Sequence, residues 1–201
     1  AANLAKQIEN VRLYGGPVVV AINSFPADTA AEVAAVQEVA LAAGARAAVV
    51  SSQFIHGGAG AEDLAAAVWA AAEEGSPEFR LLYPDEMPLL EKIETIAVRI
   101  YGAAGVDVLP AAAKAIRRFE ELGYGSLPVC MAKTQYSLSH DPALLGRPSG
   151  FRVPIRDVRL SAGAGFITPL CGEMRTMPGL PSRPGGENID IDADGNVVGL
   201  F

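Results

Sequence analysis

Two short apolar runs, each closed by an aromatic turn, constrain this chain more than any other feature. The first is "PVVVAINSF", Pro17 to Phe25, and the second is "RAAVVSSQF", Arg46 to Phe54. Each run is short and carries a continuous apolar stretch, the pattern of a strand buried in a parallel sheet and, for Pro17 to Ile22, covered on both faces. Between them, Asp28 or Thr29 is placed to cap a helix whose Val33, Val36 and Ala40 form an apolar stripe ending at Gly44. A strand, a helix and a second parallel strand cross over right-handedly, which sets the two strand ends side by side, about 4.8 Å apart if directly paired.

The remaining text extends this unit. Leu4, Ile8 and Val11 recur at helical spacing before Gly15-Gly16-Pro17 stops the helix, and "HGGAGAEDLAAAVWAAAEEG" reads as a Gly-rich turn into a helix ending at Gly75. "SPEFRLLYPDEMP" carries three prolines and breaks the alternation. Beyond it we expect helices around Leu89–Tyr101 and Ala111–Leu122, a short "VDVLP" strand or turn, a strand at "LPVCMA", and a β-rich tail. The expected fold class is α/β: a doubly wound, mostly parallel sheet followed by a smaller α+β C-terminal part ending in a β-hairpin. The expected domains are a Rossmann-like region over 1–84 and an α+β domain over 85–201.

The 201 residues, half of them hydrophobic, suffice for one large domain or two small ones. A net charge of −7 without any basic tract argues against nucleic acid or an anionic membrane as partner, while leaving room for a small anionic ligand. No 18-residue apolar span and no charged-then-apolar leader occurs in this sequence, so neither a membrane helix nor a signal peptide is expected. Cys130 and Cys171 lack Cys-x-x-Cys spacing and are expected to be free buried thiols, which points to the cytoplasm. Ala1 is not a methionine, and an N-terminal part is expected to be missing.

Ligands of open α/β sheets bind beyond the carboxyl ends of the strands, where Phe25 and Phe54 stand 29 residues apart. Such a pair suits a clamp for a flat ligand, with Asn23 holding the turn or meeting a polar edge; the plain alternative is that each ring staples its loop to the core. "HGGAGAED" matches no phosphate loop; Gly57 and Gly58 permit close approach of a ring or carboxylate, but a plain helix-entry turn is the first reading. "LSAGAGFITP" is a tight turn without a complete motif. Lys133, Thr134, Gln135, Tyr136 and Ser137 follow an apolar strand and suggest either site support or a network tying two segments together. His140-Asp141 reads as a helix-capping turn rather than a catalytic pair. Two scattered histidines and two scattered cysteines make no metal site, and "DIDADGN" reads as a hairpin turn rather than a calcium loop, since Phe201 stands where a bidentate Glu is needed.

Long ordered segments then carry a resemblance: "NLAKQIENVRLYGGPVVVAINSFPADT", "GGAGAEDLA", "LLYPDEMPLLEKIETIAVRIYGAAGVDV", "LPVCMAKTQYSLSHDPALLGRPSGF", "VRLSAGAGFITPLCGEMRTMPGLP" and "NIDIDADGNVVGLF". Together they cover nearly the whole sequence, which resembles the C-terminal portion of formate–tetrahydrofolate ligase. The resemblance implies an enzyme that uses ATP, with Mg2+, to phosphorylate formate and passes the formyl group to tetrahydrofolate. It places nucleotide and metal mainly on an N-terminal portion, with no catalytic residue here, and implies a homo-oligomer. It also implies that folate is sandwiched between Phe25 and Phe54; beyond that pair the folate contacts are open, with Asn23, Gly57 and Gly58 as candidates and Lys133, Thr134, Gln135 and Tyr136 as weaker ones. Phe54 falls where the family usually has Trp, a smaller ring without the indole N–H. A stand-alone folate-binding module and a purely structural fragment are the alternatives.

Overall fold

The computed structural model describes residues 1–75, 78–173 and 181–199. Ser76 and Pro77 of the expected boundary segment, the stretch 174–180 and the closing Leu200-Phe201 lie outside the described residues. The chain begins with helix α1 (Ala2–Arg12), followed by strand β1 (Val19–Asn23), helix α2 (Ala30–Ala42) and strand β2 (Ala47–Ser51). β1 and β2 pair in parallel with Asn23 opposite Ser51 at the carboxyl end. The crossover helix starts on a reciprocal cap: Thr29 Oγ1 accepts from the Glu32 N–H while the Glu32 carboxylate accepts from the Thr29 N–H. A one-turn helix α3 (Gln53–His56), a 3₁₀ turn over Gly57–Ala61 and helix α4 (Glu62–Glu74) follow.

Helix α5 (Leu89–Arg99), strand β3 (Gly105–Val108) and helix α6 (Pro110–Glu121) lead to a second sheet with β4 (Ala132–Lys133), β5 (Arg152–Ser161) and β6 (Phe166–Cys171), ordered β3-β5-β6-β4. β3 runs parallel to β5 and β4 parallel to β6, but β5 and β6 are antiparallel. The larger core lies here. Leu89, Ile93 and Ala97 present one buried stripe of α5 at four-residue spacing, packed with Ile116, Val153, Ile155 and Ile167. A bulge in β5 between Ile155 and Asp157 shifts the register, so that Val158, not Asp157, is turned into the core. Asp190–Ile191 (β7) and Val197–Val198 (β8) form a separate antiparallel pair.

The architecture is α/β with mixed parallel and antiparallel sheets, and several local expectations are corrected. The first strand is not covered on both faces: Ala21 and Asn23 are exposed, and Val19, Val20 and Ile22 are half-buried, because a two-stranded sheet is too narrow to be sealed. Val36 is exposed; the inner face of α2 runs through Val33, Gln37 and Ala40, with Gln37 donating to the Ala48 carbonyl. The expected "LPVCMA" strand shrinks to β4 plus one bridge, Val129 to Ile167. Cys171 is buried, its thiol pushed up to about 12 by desolvation, whereas Cys130 is exposed. No helix follows His140-Asp141; Asp141 instead closes a turn by accepting from the Ala143 N–H.

α1 docks against the second half of the chain through polar contacts. Lys6 Nζ donates to the Arg99 carbonyl (2.6 Å), Asn10 Nδ2 to the Ile100 carbonyl (2.9 Å), and the Glu9 carboxylate accepts a two-pronged bond from Arg147 (both 2.8 Å). The Arg147 hydrogen bonds hold the Glu9 carboxyl below its ordinary value of 4.5. A depressed folded pKa means that the unfolded chain binds the extra proton first, so this contribution is complete above the ordinary glutamate range and disappears as pH falls through the folded value. Glu9→Gln should therefore flatten the acid side of the stability profile between about pH 6 and about pH 3, read by thermal unfolding; parallel profiles for the two proteins would contradict it.

Candidate functional site

The parallel register of β1 and β2 decides where the two aromatic turns lie. The ladder continues one bond past the strands, with the Ser24 N–H donating to the Ser51 carbonyl (2.9 Å), and the chain then parts into two turns. On the first, the Phe25 N–H donates to Asp28 Oδ2 (2.8 Å) and the Asp28 N–H returns to the Phe25 carbonyl (3.0 Å), closing a tight loop that projects the ring. On the second, Phe54 stands on α3. The ring centroids are 5.2 Å apart with their planes tilted by 56°, within the range of favourable aromatic contact.

Both rings face solvent, Phe25 at 47% and Phe54 at 72% exposure. Neither ring is buried in a core cluster, and the two are in contact with each other. A flat ligand needs carbon contacts of about 3.5 Å on each side, so the covers of a sandwich stand about 7 Å apart, and this pair has to open by about 2 Å to admit one. Exposed rings lose little packing in doing so.

Asn23 closes β1, its Oδ1 accepting from Gln53 Nε2 (3.0 Å), while Gln53 Oε1 meets the Ser51 hydroxyl. Sequence reading singled out Asn23 and passed over Gln53, since nothing in the local text marks a glutamine as the partner of a residue thirty positions earlier. Gly57 ends α3 at φ +59°, and a side chain at either Gly57 or Gly58 would meet nothing within 4 Å, so this edge of the site is open. Gly60 was also passed over. Its carbonyl accepts from the Ser52 N–H (2.9 Å), and a Cβ there would fall 2.6 Å from the Ser52 carbonyl carbon.

Lys133, Thr134, Gln135 and Tyr136 belong to a loop organised by Lys133. Lys133 Nζ donates to the carbonyls of Thr134 (3.0 Å), Tyr136 (2.5 Å) and Ser139 (2.8 Å), and sits 5.4 Å from the centre of the Tyr101 ring. Desolvation lowers its pKa, and the same burial lifts the Tyr101 hydroxyl to about 12. The ammonium thus gathers its own loop around it. Thr134 Oγ1 is buried without a hydrogen-bond partner, and Gln135 and Tyr136 point to the exposed side.

A cavity of about 470 Å³ lies between α1 and the second half of the chain, lined among others by Tyr14, Tyr83, Ile96, Tyr101 and Met131. None of the candidate site residues read from the sequence lines it. Among the described residues no group of three or more His, Cys, Asp or Glu is arranged to hold a metal, and no helix is long and apolar enough to cross a membrane.

Comparison with known proteins agrees with the resemblance. A family model described as formate–tetrahydrofolate ligase matches residues 1–201. Among similar proteins, the formate–tetrahydrofolate ligase of Roseiflexus sp. (strain RS-1) is 57% identical over 199 residues, covering 99% of this chain and 35% of that protein. The ligase of Saccharopolyspora erythraea is 58% identical over 200 residues, and that of Paracoccus denitrificans 55% over 200, covering 35% and 36% of those proteins. The chain therefore spans about a third of the length of the curated relatives it matches.

The close approach at Gly60 generates a prediction. Gly60→Ala should push the Phe54 turn away from Ser52 and reduce the ring-current shifts that Phe25 and Phe54 impose on each other's aromatic proton resonances; unchanged shifts would show that the turn position does not depend on Gly60.

Proposed function

Because this chain belongs to the formate–tetrahydrofolate ligase family, we propose that it supplies the folate-holding part of an ATP-dependent ligase that makes 10-formyltetrahydrofolate. In that reaction formate takes the terminal phosphoryl group of ATP to become formyl phosphate. An amine of tetrahydrofolate then attacks the formyl carbon, phosphate leaves, and the amine loses its proton.

The observation that carries the reading is the exposed Phe25–Phe54 pair at the carboxyl ends of two paired parallel strands. Two solvent-facing rings in contact form a surface that the flat pyrimidine end of a pterin can enter, gaining stacking on both faces. Held there, the folate amine is fixed against formyl phosphate brought by the rest of the enzyme, and orientation of two reactants is a large source of rate acceleration. Asn23, Gly57 and Gly58 border the slot. Lys133, Thr134, Gln135 and Tyr136 act at most as remote support, by shaping the loop that Lys133 gathers.

We assign ATP and Mg2+ mainly to an N-terminal portion of the enzyme, as the family resemblance implies. We further take the two-stranded parallel sheet as part of a larger doubly wound, Rossmann-like sheet in the whole enzyme. Its region runs to about residue 84, the α+β domain extends over 85–201 to a closing hairpin, and the enzyme works as a cytoplasmic homo-oligomer.

Tetrahydrofolate binding to this chain, followed by calorimetry, tests the proposal. Phe25→Ala and Phe54→Ala should each weaken binding roughly tenfold, corresponding to ~1.4 kcal/mol for one lost stacking partner with its buried area. Affinity that both substitutions leave intact would remove the clamp from the account, and a folded chain that binds no folate would leave this part a structural one.

A further inference from the structure

We propose that Gln53 is the positioning residue that sets the separation of the Phe25 and Phe54 rings, and so the fit of the slot to its ligand. The inference rests on the folate-holding reading for its ligand but on the geometry of the two turns for its substance.

The two turns are joined at backbone level at their roots, where Ser24 meets Ser51. At the same level, Gln53 adds a side-chain hydrogen-bonded link from the Phe54 turn to the end of β1. One end of its amide is held at the hydroxyl of Ser51, a residue only 2% exposed, and the other end reaches Asn23 across the sheet, 3.0 Å away. Ser51 is the last residue of β2 and Asn23 the last of β1. The glutamine amide is therefore a strut between two strand ends and stands immediately before Phe54 in the chain.

Such a strut matters because α3 has little to hold it otherwise. It is a single turn of four residues with none of them buried, and its N-cap Ser52 makes no side-chain bond to the backbone N–H groups it precedes; that hydroxyl meets His56 Nδ1 instead (3.0 Å). One isolated helical turn does not sustain itself. Nor does the Phe54 ring anchor it, being largely exposed. The direction in which α3 carries Phe54 is then fixed from below by the Gln53 tether and from behind by the Ser52–Gly60 contact.

The chemistry of the strut suggests its own control. A serine hydroxyl and an asparagine amide each donate or accept, so Gln53→Glu retains both links: the carboxylate accepts from the Ser51 hydroxyl and from an Asn23 amide turned to present its Nδ2. Gln53→Leu keeps approximate size and removes both.

The experiment compares the wild-type chain with Gln53→Leu, Gln53→Glu and Phe25→Ala by tetrahydrofolate calorimetry, thermal unfolding, and nuclear Overhauser contacts between the Phe25 and Phe54 rings. We expect Gln53→Leu to bind folate about tenfold more weakly, as losing one or two modest hydrogen bonds implies. Its ring-to-ring contacts should be weakened and its melting temperature close to wild type, while Gln53→Glu stays near wild type in all three. A Gln53→Leu protein with unchanged ring contacts, or a Gln53→Glu protein as impaired as Gln53→Leu, would overturn the proposal. Phe25→Ala separates the two ideas: if it weakens binding and Gln53→Leu does not, the strut fails and the folate reading stands. If no variant affects folate, the folate reading fails and the ring contacts alone decide the strut.

Discussion

The parallel pairing of β1 with β2 is the interaction on which the site depends. Its last pair, Asn23 opposite Ser51, fixes the point at which the chain divides into two turns, and the Ser24-to-Ser51 hydrogen bond carries the alignment one residue further. A slip of one residue would turn every side chain of a strand to the opposite face. It would separate the two rings and break the Asn23–Gln53 link together. The crossover helix makes the pairing possible by starting sharply at the Thr29–Glu32 cap.

A second theme is the use of buried ammonium groups to organise irregular backbone. Lys92, fully buried, donates to the carbonyls of Asp85, Gly125 and Leu127, and its pKa is lowered by desolvation. Lys133 collects three carbonyls of its own loop, and Lys6 caps the carbonyl of Arg99 at the end of α5. Each gives buried or half-buried carbonyls a donor that loop backbone cannot supply. Through Lys6, Asn10 and Glu9, α1 ties the beginning of the chain to the α5 end and to Arg147. The sheet bearing the rings and the larger core are thus joined by polar contacts of one helix, beside an apolar cavity with Tyr14, Tyr83 and Tyr101 in its walls.

Local pattern made much of this legible. Apolar runs located β1 and β2, Asp28 or Thr29 was the expected cap of α2 and Thr29 is the one that caps it, and the β-rich text of the tail contains β5 and β6. The long matching segments identified the family more firmly than any single motif. What escaped the sequence is what depends on distance in space. Val36 looked like a core position because it is apolar and correctly spaced, yet Gln37 occupies the inner face, its amide satisfied by the Ala48 carbonyl. Cys130 lies in an apolar stretch but on an edge without a full strand to bury it. The importance of Gln53 and Gly60 arises from partners thirty and eight residues away, and no window of sequence displays either contact.

The central claim is that the Phe25–Phe54 contact is the closed form of a slot that opens around a pterin. Nuclear Overhauser contacts measured on this chain with saturating tetrahydrofolate test it most directly. Contacts between the two phenylalanine rings should fade while contacts from each ring to the pterin protons appear. Ring-to-ring contacts that persist unchanged at saturation, with no pterin contact to either ring, would contradict it.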